Sequence, residues 1–324
     1  MGSALESIWA PNARVEAQDD RGLVLDEDLG FKLSHRTPGV NALGVRHRDL
    51  PSPKPDGELR VLLIGDSVGF PLDGFFADVA AAHGASGSRE FINACVHGYT
   101  TYQERVFLQR DLMVLEPDLV ILQYCVNDNY RFLHRLTSKG RRLMTLEAKN
   151  YLFPSADGPW PWIARHSYLV YVVRKLLLDR ATGRQLAWEG MGRAAWDDAS
   201  WPRQRGEIET LAAPLKEAGI DLMVLAVPHE DQLGRAAPEA DEELVLRPQR
   251  HLKRICADLG LPFLDVQPIL RAHVDEALYE DKLHLTPAGH RLVGAALVAF
   301  LADRYPDRFG TTRSGGSRVE GTPR

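Results

Sequence analysis

The sequence predicts an α/β fold in which a doubly wound parallel sheet is covered by helices on both faces. Three observations predict it. Short apolar runs ending in turns alternate with longer stretches of helical spacing. Most of the runs are near-continuous in Val, Leu and Ile, as strands buried on both faces are. Polar clusters follow the first three runs, at the place where open α/β sheets with right-handed crossovers bind ligands.

The elements follow in order. Residues 1–58 are rich in Pro, Gly, Asp and Arg, with short possible strands such as 22–25 (GLVL), and are expected to form an irregular N-terminal extension packed on the core. The regular pattern begins near residue 59. Residues 60–65 (RVLLIG) form the first buried strand, 90–96 (EFINACV) the second and 119–124 (LVILQY) the third. Helical spacing fills 71–83, through Phe75, Phe76 and Val79, and 102–115, through Val106, Phe107, Leu112 and Leu115. The segment 130–202 breaks this rhythm. It is dense in aromatics and Arg, carries little strand signal and one good helix at 168–178, and is expected to form a helical, aromatic-rich insertion or lid. Strand and helix then resume, with a helix at 204–218, a strand at 221–227 (DLMVLAV), a helix at 241–259, a short strand at 262–265 and an amphipathic helix at 286–304. The main domain is thus expected over 59–305. The Gly/Ser/Thr/Arg tail, 310–324, is expected to be disordered.

Composition bounds the function. The 324 residues are 44% hydrophobic and 26% charged, as globular chains are, with a net charge of −5 and no long basic run, which argues against nucleic acid as the main partner. The three cysteines, Cys95, Cys125 and Cys256, show no CxxC and no zinc spacing, so neither a disulfide framework nor a metal site is expected. The first 20 residues hold no apolar core of signal-peptide length, and no apolar run approaches the ~18 residues of a membrane span. The chain as it stands is therefore expected in the cytoplasm without membrane insertion, although a secreted or anchored protein trimmed of its leader would read the same.

The polar clusters carry the chemistry. Gly65-Asp66-Ser67 follows the first strand, His97-Gly98-Tyr99 the second and Asn127-Asp128 the third, while Asp281 and His284 precede the last helix. A serine hydroxyl is a weak nucleophile until a base takes its proton, and that base is most often a His oriented by a carboxylate. Asp281 and His284 are three residues apart, so one turn can join carboxylate to imidazole. Acyl transfer also needs donors aimed at the developing oxyanion. The backbone N–H groups of Ser67 and Gly98 and the side-chain amide of Asn127 can supply three. Plainer readings exist for each residue: Ser67 as a helix N-cap, Asn127 as a turn residue. Asp66 and Asp128 are read as acceptors of loop amides. Four other histidines compete for the role of base or pocket residue: His290 and His273 are alternative bases, with His290 read rather as a helix-face residue; His97 is either a residue at the pocket mouth that touches substrate or a loop histidine with no role, and His229 is one that can border the pocket; all four are left outside the catalytic set. The tryptophans are read as packing rather than as an acyl pocket, and the Arg141-Arg142 pair as a solvated turn.

These blocks resemble the SGNH hydrolase superfamily, the GDSL-type esterases and lipases. GDSV carries Ser67, VHGYTTYQE carries Gly98, YCVND carries Asn127 and DKLHLTPAGH carries Asp281 and His284, all in the family's order. Cys125 stands where the family usually has Gly, and Val68 where Leu or Phe is commoner; neither removes a catalytic group. The absence of a Gly-x-Ser-x-Gly elbow disfavours the other large lipase fold. The resemblance implies a three-layer α/β/α, flavodoxin-like fold with five parallel strands and no metal or organic cofactor. It implies ester hydrolysis through an acyl-enzyme, with Ser67 as nucleophile, His284 as base and Asp281 as its support. It also implies an oxyanion hole of Ser67, Gly98 and Asn127. The substrate would be a small ester or an acylated carbohydrate or lipid. The same residues would serve an O-acyltransferase that replaces water with a sugar, lipid or natural-product hydroxyl. A binding module without catalysis has no chemical need for the whole set.

Overall fold

The computed structural model describes residues 22–26, 28–84, 88–130, 132–136, 142–146, 193–234 and 241–310. At its centre is a parallel sheet. Two short N-terminal strands, β1 (Leu23–Asp26) and β2 (Gly30–Leu33), pair antiparallel and stand apart from it. The sheet itself holds β3 (Leu59–Ile64), β4 (Arg89–Asn93), β5 (Leu119–Tyr124), β8 (Asp221–Ala226) and β9 (Phe263–Asp265) in the order β4-β3-β5-β8-β9. Between β5 and β8 in the chain lie β6 (Phe132–Leu136) and β7 (Arg142–Leu146), an antiparallel pair of their own.

All four contacts within the sheet are parallel. Side chains of its strands alternate between two cores, because successive residues of a strand point to opposite faces. Leu62, Ile64, Val120, Leu122, Leu222 and Val224 pack into one; Val61, Leu63, Leu119, Ile121, Met223 and Leu225 pack into the other. Helices cover both. The first core is closed by α2 (Thr101–Phe107), α3 (Trp201–Glu217) and α4 (Arg247–Leu259), and also by Leu29, Phe31 and Leu33 from the β1–β2 region. The second core is closed by α1 (Phe75–His83), α5 (Gln267–Ala272) and α6 (Pro287–Arg304). The three layers, helix on sheet on helix, follow from the uninterrupted apolar strands.

The order of strands creates the crevice. From β3 the chain crosses to β4 on one side, then to β5 on the other, so the loops after β3 and β5 part company at their carboxyl ends. Such a switch point leaves a crevice beyond the carboxyl ends of β3 and β5, in the middle of the sheet. The loop bearing Ser67 leaves β3 there.

Several elements differ in detail from the sequence expectation. Helical spacing over 102–115 gives α2 only to Phe107, then a π-helical stretch, Leu108–Leu112, and a tighter turn, Met113–Leu115. Glu116 is left-handed with φ 48°, and Pro117 after it stops the helix. The helix expected over 241–259 divides at Leu246 into Glu242–Val245 and α4. Pro248 explains the division: without an N–H and with a ring that crowds the preceding turn, it is tolerated at a helix start and not inside one. The segment read as strand-poor, 130–202, opens instead with the β6–β7 pair; five-residue strands alternate too briefly to stand out against its aromatic and basic background. The helix expected at 168–178, Trp160, Trp162, Trp188, Arg141 and the tail at 311–324 lie outside the described residues. Trp196 and Trp201, at the end of the same segment, are both core residues, with indole N–H groups donating to the carbonyls of Leu244 and Ala195 at 2.9 Å each.

Candidate active site

The turn after β3 is fixed by groups on both neighbouring strands. Gln123, fully buried near the end of β5, accepts with Oε1 from the amides of Asp66 (3.3 Å) and Gly69 (3.0 Å). Asn93 at the end of β4 donates its side-chain amide to the Gly69 carbonyl at 2.8 Å. The turn can approach this closely only with glycines at its two ends. A Cβ on Gly65 would lie 2.5 Å from Gln123 Oε1, and one on Gly69 would lie 2.6 Å from the Cys95 sulfur. Both are too short for real contacts, so the residues flanking Asp66-Ser67-Val68 have no room for a side chain.

The buried Asp66 carboxylate completes the frame. Its Oδ1 accepts the Val68 amide at 2.9 Å, and its Oδ2 accepts the side-chain amide of Asn127 at 2.6 Å. One carboxylate thus joins the serine turn to the loop after β5. An amide nitrogen carries two hydrogens, and Asp66 takes one of them. Asp128 accepts the Cys125 amide at 2.7 Å, so it caps the short turn Val126–Asn129.

His284 arrives from the far end of the chain, in the loop before α6. Its Nε2 lies 2.8 Å from Ser67 Oγ and its Nδ1 lies 2.7 Å from Asp281 Oδ2. The second oxygen of Asp281 accepts the amides of Leu283 and His284, both at 2.7 Å. Partial burial pushes the Asp281 carboxyl up, but the bonds from His284 and Leu283 outweigh it and hold the group below the ordinary aspartate range. The loop is tied down at three further points. Tyr279 donates its hydroxyl to the Pro228 carbonyl at 2.6 Å, the Glu230 amide donates to the Lys282 carbonyl at 2.9 Å, and the Glu280 amide to the His284 carbonyl at 2.9 Å.

Gly98 sits in the turn after β4 with φ 73°, a left-handed conformation that costs a residue with a Cβ about 1 kcal/mol or more. Among the described residues no acceptor takes the backbone N–H of Gly98 or of Ser67. The structure therefore joins Ser67, His284 and Asp281 in one hydrogen-bonded line, links Asn127 to the serine turn through Asp66, and leaves two amides open at neighbouring strand ends.

The other histidines have different surroundings. His290 is buried on α6, accepts the Phe75 amide at 3.3 Å and stacks on the Phe75 ring. His273 pairs with Glu276 at 2.9 Å on the surface. His229 is buried at the end of β8 and accepts the Asp231 amide through Nδ1 at 3.2 Å; burial drives its pKa down to about 4, so it stays neutral. His97 is exposed and packs on Phe70, with ring centroids 3.7 Å apart. None of the four bonds to Ser67.

Two features of the site carry no strong sequence signal. Gln123 is a single polar residue in an apolar strand, and only its burial between two glycine contacts reveals its purpose. Glu104, on α2, is buried with neither carboxylate oxygen partnered among the described residues, and burial, then Asp128 and Asp66, raise its pKa well above the usual value. Among the described residues no group of three or more His, Cys, Asp or Glu side chains is placed to hold a metal ion, and no helix is long and apolar enough to cross a membrane.

The sequence matches the model of the GDSL-like Lipase/Acylhydrolase family over residues 63–292. No curated protein matches it. Among solved structures, an acetyl xylan esterase is 13% identical, with 74% of this chain and 98% of that one covered and a TM-score of 0.45. A catalytic mutant of an acetylxylan esterase from Geobacillus stearothermophilus is 15% identical over 76% of this chain and 95% of that one, with a TM-score of 0.48. The lipase/acylhydrolase from Enterococcus faecalis is 17% identical over 76% and 96%, with a TM-score of 0.43.

Proposed function

We propose that this chain, which belongs to the GDSL-like lipase/acylhydrolase family, hydrolyses a carboxylic ester through an acyl-enzyme on Ser67. The observation that carries the proposal is the line from Asp281 through His284 to Ser67, with contacts of 2.7 and 2.8 Å. A carboxylate on Nδ1 keeps the imidazole proton there and leaves Nε2 as an acceptor, which is the tautomer a general base needs.

The chemistry runs in two halves. Ser67 Oγ attacks the ester carbonyl while its proton passes to His284 Nε2. Negative charge on the carbonyl oxygen is met by the Ser67 and Gly98 amides and by the second Asn127 hydrogen, each donor already fixed before reaction. The tetrahedral intermediate collapses, the alcohol leaves with the proton from His284, and the acyl group stays on Ser67. A water then takes the place of the alcohol, His284 accepts its proton, and collapse releases the carboxylic acid and restores the serine. Asp281 stabilises the imidazolium in both halves without taking the proton. Asp66 does not touch the reacting atoms in this scheme; it positions the Asn127 amide relative to the serine turn.

Labelling with a fluorophosphonate, mapped by mass spectrometry, tests the reading. Label on Ser67 that disappears in Ser67→Ala and His284→Ala is the expected result. Folded protein that neither labels nor cleaves short-chain aryl esters would rule it out. If an added alcohol captures most of the acyl group in competition with water, the same site works as an acyltransferase.

A further inference from the structure

The segment before β3 brings a cation to this site. Arg46 lies with its guanidinium carbon 3.4 Å from the centre of the Phe70 ring, and its Nη2 donates to the Phe70 carbonyl. Phe70 is three residues beyond Ser67, and its ring also meets the ring of His97, which adjoins Gly98. Arg46, Phe70 and His97 therefore form one contiguous stack between the serine turn and the turn holding an open amide. The His97 ring loses solvent where it lies on Phe70; that loss first, then the Arg46 charge, disfavour it as a cation, with Asp66 opposing.

Among the described residues Arg46 has no counter-ion. Arg48, two residues on, holds Glu90, and the buried Arg60 holds Glu58 at 2.6 Å. The Arg46 Nε is buried with no partner among the described residues, and burial makes the Arg46 charge harder to hold. Among the described residues the guanidinium's one acceptor is the Phe70 carbonyl, which leaves Nη1 and the second Nη2 hydrogen to meet a planar oxyanion end-on.

We propose that Arg46 recognises an anionic group on the substrate: the ester carries a carboxylate, or an oxyanion of like geometry, on its acyl or its alcohol side. The proposal rests on the ester-hydrolysis reading above. Arg46 would be a specificity residue supplied by the N-terminal extension, with Phe70 as the surface that holds its plane.

Two pairs of esters test it on the full chain. One pair is 4-acetoxybenzoate and its methyl ester, which place or remove the charge on the alcohol side. The other is the mono-4-nitrophenyl ester of adipic acid and 4-nitrophenyl hexanoate, which do so on the acyl side. For at least one pair, Arg46→Met should lower kcat/KM for the anionic ester about tenfold more than for its neutral partner, with Arg46→Lys in between. In the wild-type protein, raising the salt should slow the anionic ester selectively, since screening weakens charge attraction; this arm does not depend on how well the variants fold. Parallel losses within both pairs, or no selective salt effect, would overturn the proposal and make Arg46 only a clamp on the Phe70 turn. Failure of all four esters together with an unlabelled Ser67 would instead overturn ester hydrolysis itself.

Discussion

Replacing Asp281 separates two things that a carboxylate does for His284. The first is charge. Asp281 Oδ2 lies 2.7 Å from Nδ1, which places the two charge centres roughly 4 Å apart once the imidazolium forms. At that distance the attraction is about 4 kcal/mol near a protein surface and about 1 kcal/mol in bulk water. The Asp281 side chain is 58% exposed, so a value between them, about 2–3 kcal/mol, is reasonable, and Asp281→Ala should lower kcat/KM about 30- to 150-fold. The second is the tautomer. Oδ1 of Asp281 accepts two backbone amides. In Asp281→Asn the single amide oxygen keeps those two bonds, because reversing it would leave both N–H groups facing an NH2. The NH2 must then face Nδ1, which becomes the acceptor, and the proton moves to Nε2, where it blocks the uptake of the Ser67 proton. Asp281→Asn should therefore be worse than Asp281→Ala, by about a further factor of ten, although it is the closer mimic in shape. The Tyr279–Leu285 bridge and the Glu280–His284 bond keep the loop in place in both variants. The assay is kcat/KM on a short-chain aryl ester with thermal unfolding recorded alongside. An Asn variant more active than the Ala variant, at equal stability, would refute the tautomer argument.

Other outcomes follow from the packing and from the buried acid. Gly69→Ala places a Cβ 2.6 Å from the Cys95 sulfur and 3.0 Å from Gln123 Oε1, and should cost about 1–3 kcal/mol. Cys95→Ala should recover part of that loss, so a double-mutant cycle by denaturant unfolding should give a clear coupling energy; strict additivity would show that the sulfur is not the obstacle. Glu104, with its pKa raised by burial first, keeps a proton in the folded chain that the unfolded chain releases above about pH 4.3. Stability conferred by the neutral form is therefore complete below that pH and declines as pH rises above it. Glu104→Gln cannot ionise, so its melting temperature should gain on the wild type between pH 5 and pH 8; a gap that stays constant or closes would count against a buried acid at that position.

What could be read from the sequence, and what could not, follows from where the information lies. β3, β5 and β8 are buried on both faces, so their apolar runs stand out against any background, and β5 falls on the six residues read for it. The second run reads longer than its strand because the ladder continues past Asn93, with the amides of Ala94 and Val96 bonded to the carbonyls of Leu63 and Gly65. Residues brought together at the site were visible because strand ends are where an apolar pattern gives way to polar residues. The supports of those residues were not visible. Gln123 and Asp66 act through partners 54 to 61 positions away, and nothing in LVILQY says which way a buried amide faces. Arg46 lies in a segment whose Pro, Gly and charged residues offer no periodicity at all. The divided helix at Leu246 is different: Pro248 was the signal, and helical spacing across it masked the break.

The frame around Ser67 also explains how an exposed Asp–His pair can be held in register. Most of the constraint comes from below the reacting groups. Gln123 and Asn93 hold the serine turn from both neighbouring strands, and Asp66 carries that rigidity across to Asn127. These bonds lie among buried groups, where competing water is excluded and each hydrogen bond is costly to leave unmade. His284 then needs only one loop, tied to the end of β8 through Tyr279 and Glu230, to meet a serine that does not move. Asp281 can remain solvated because orienting the imidazole falls partly to the turn itself, whose two amides bond the same carboxylate that bonds the ring. Precision at the surface is thus borrowed from polar contacts in the interior, and the two glycines beside Ser67 are what let that interior come close enough to act.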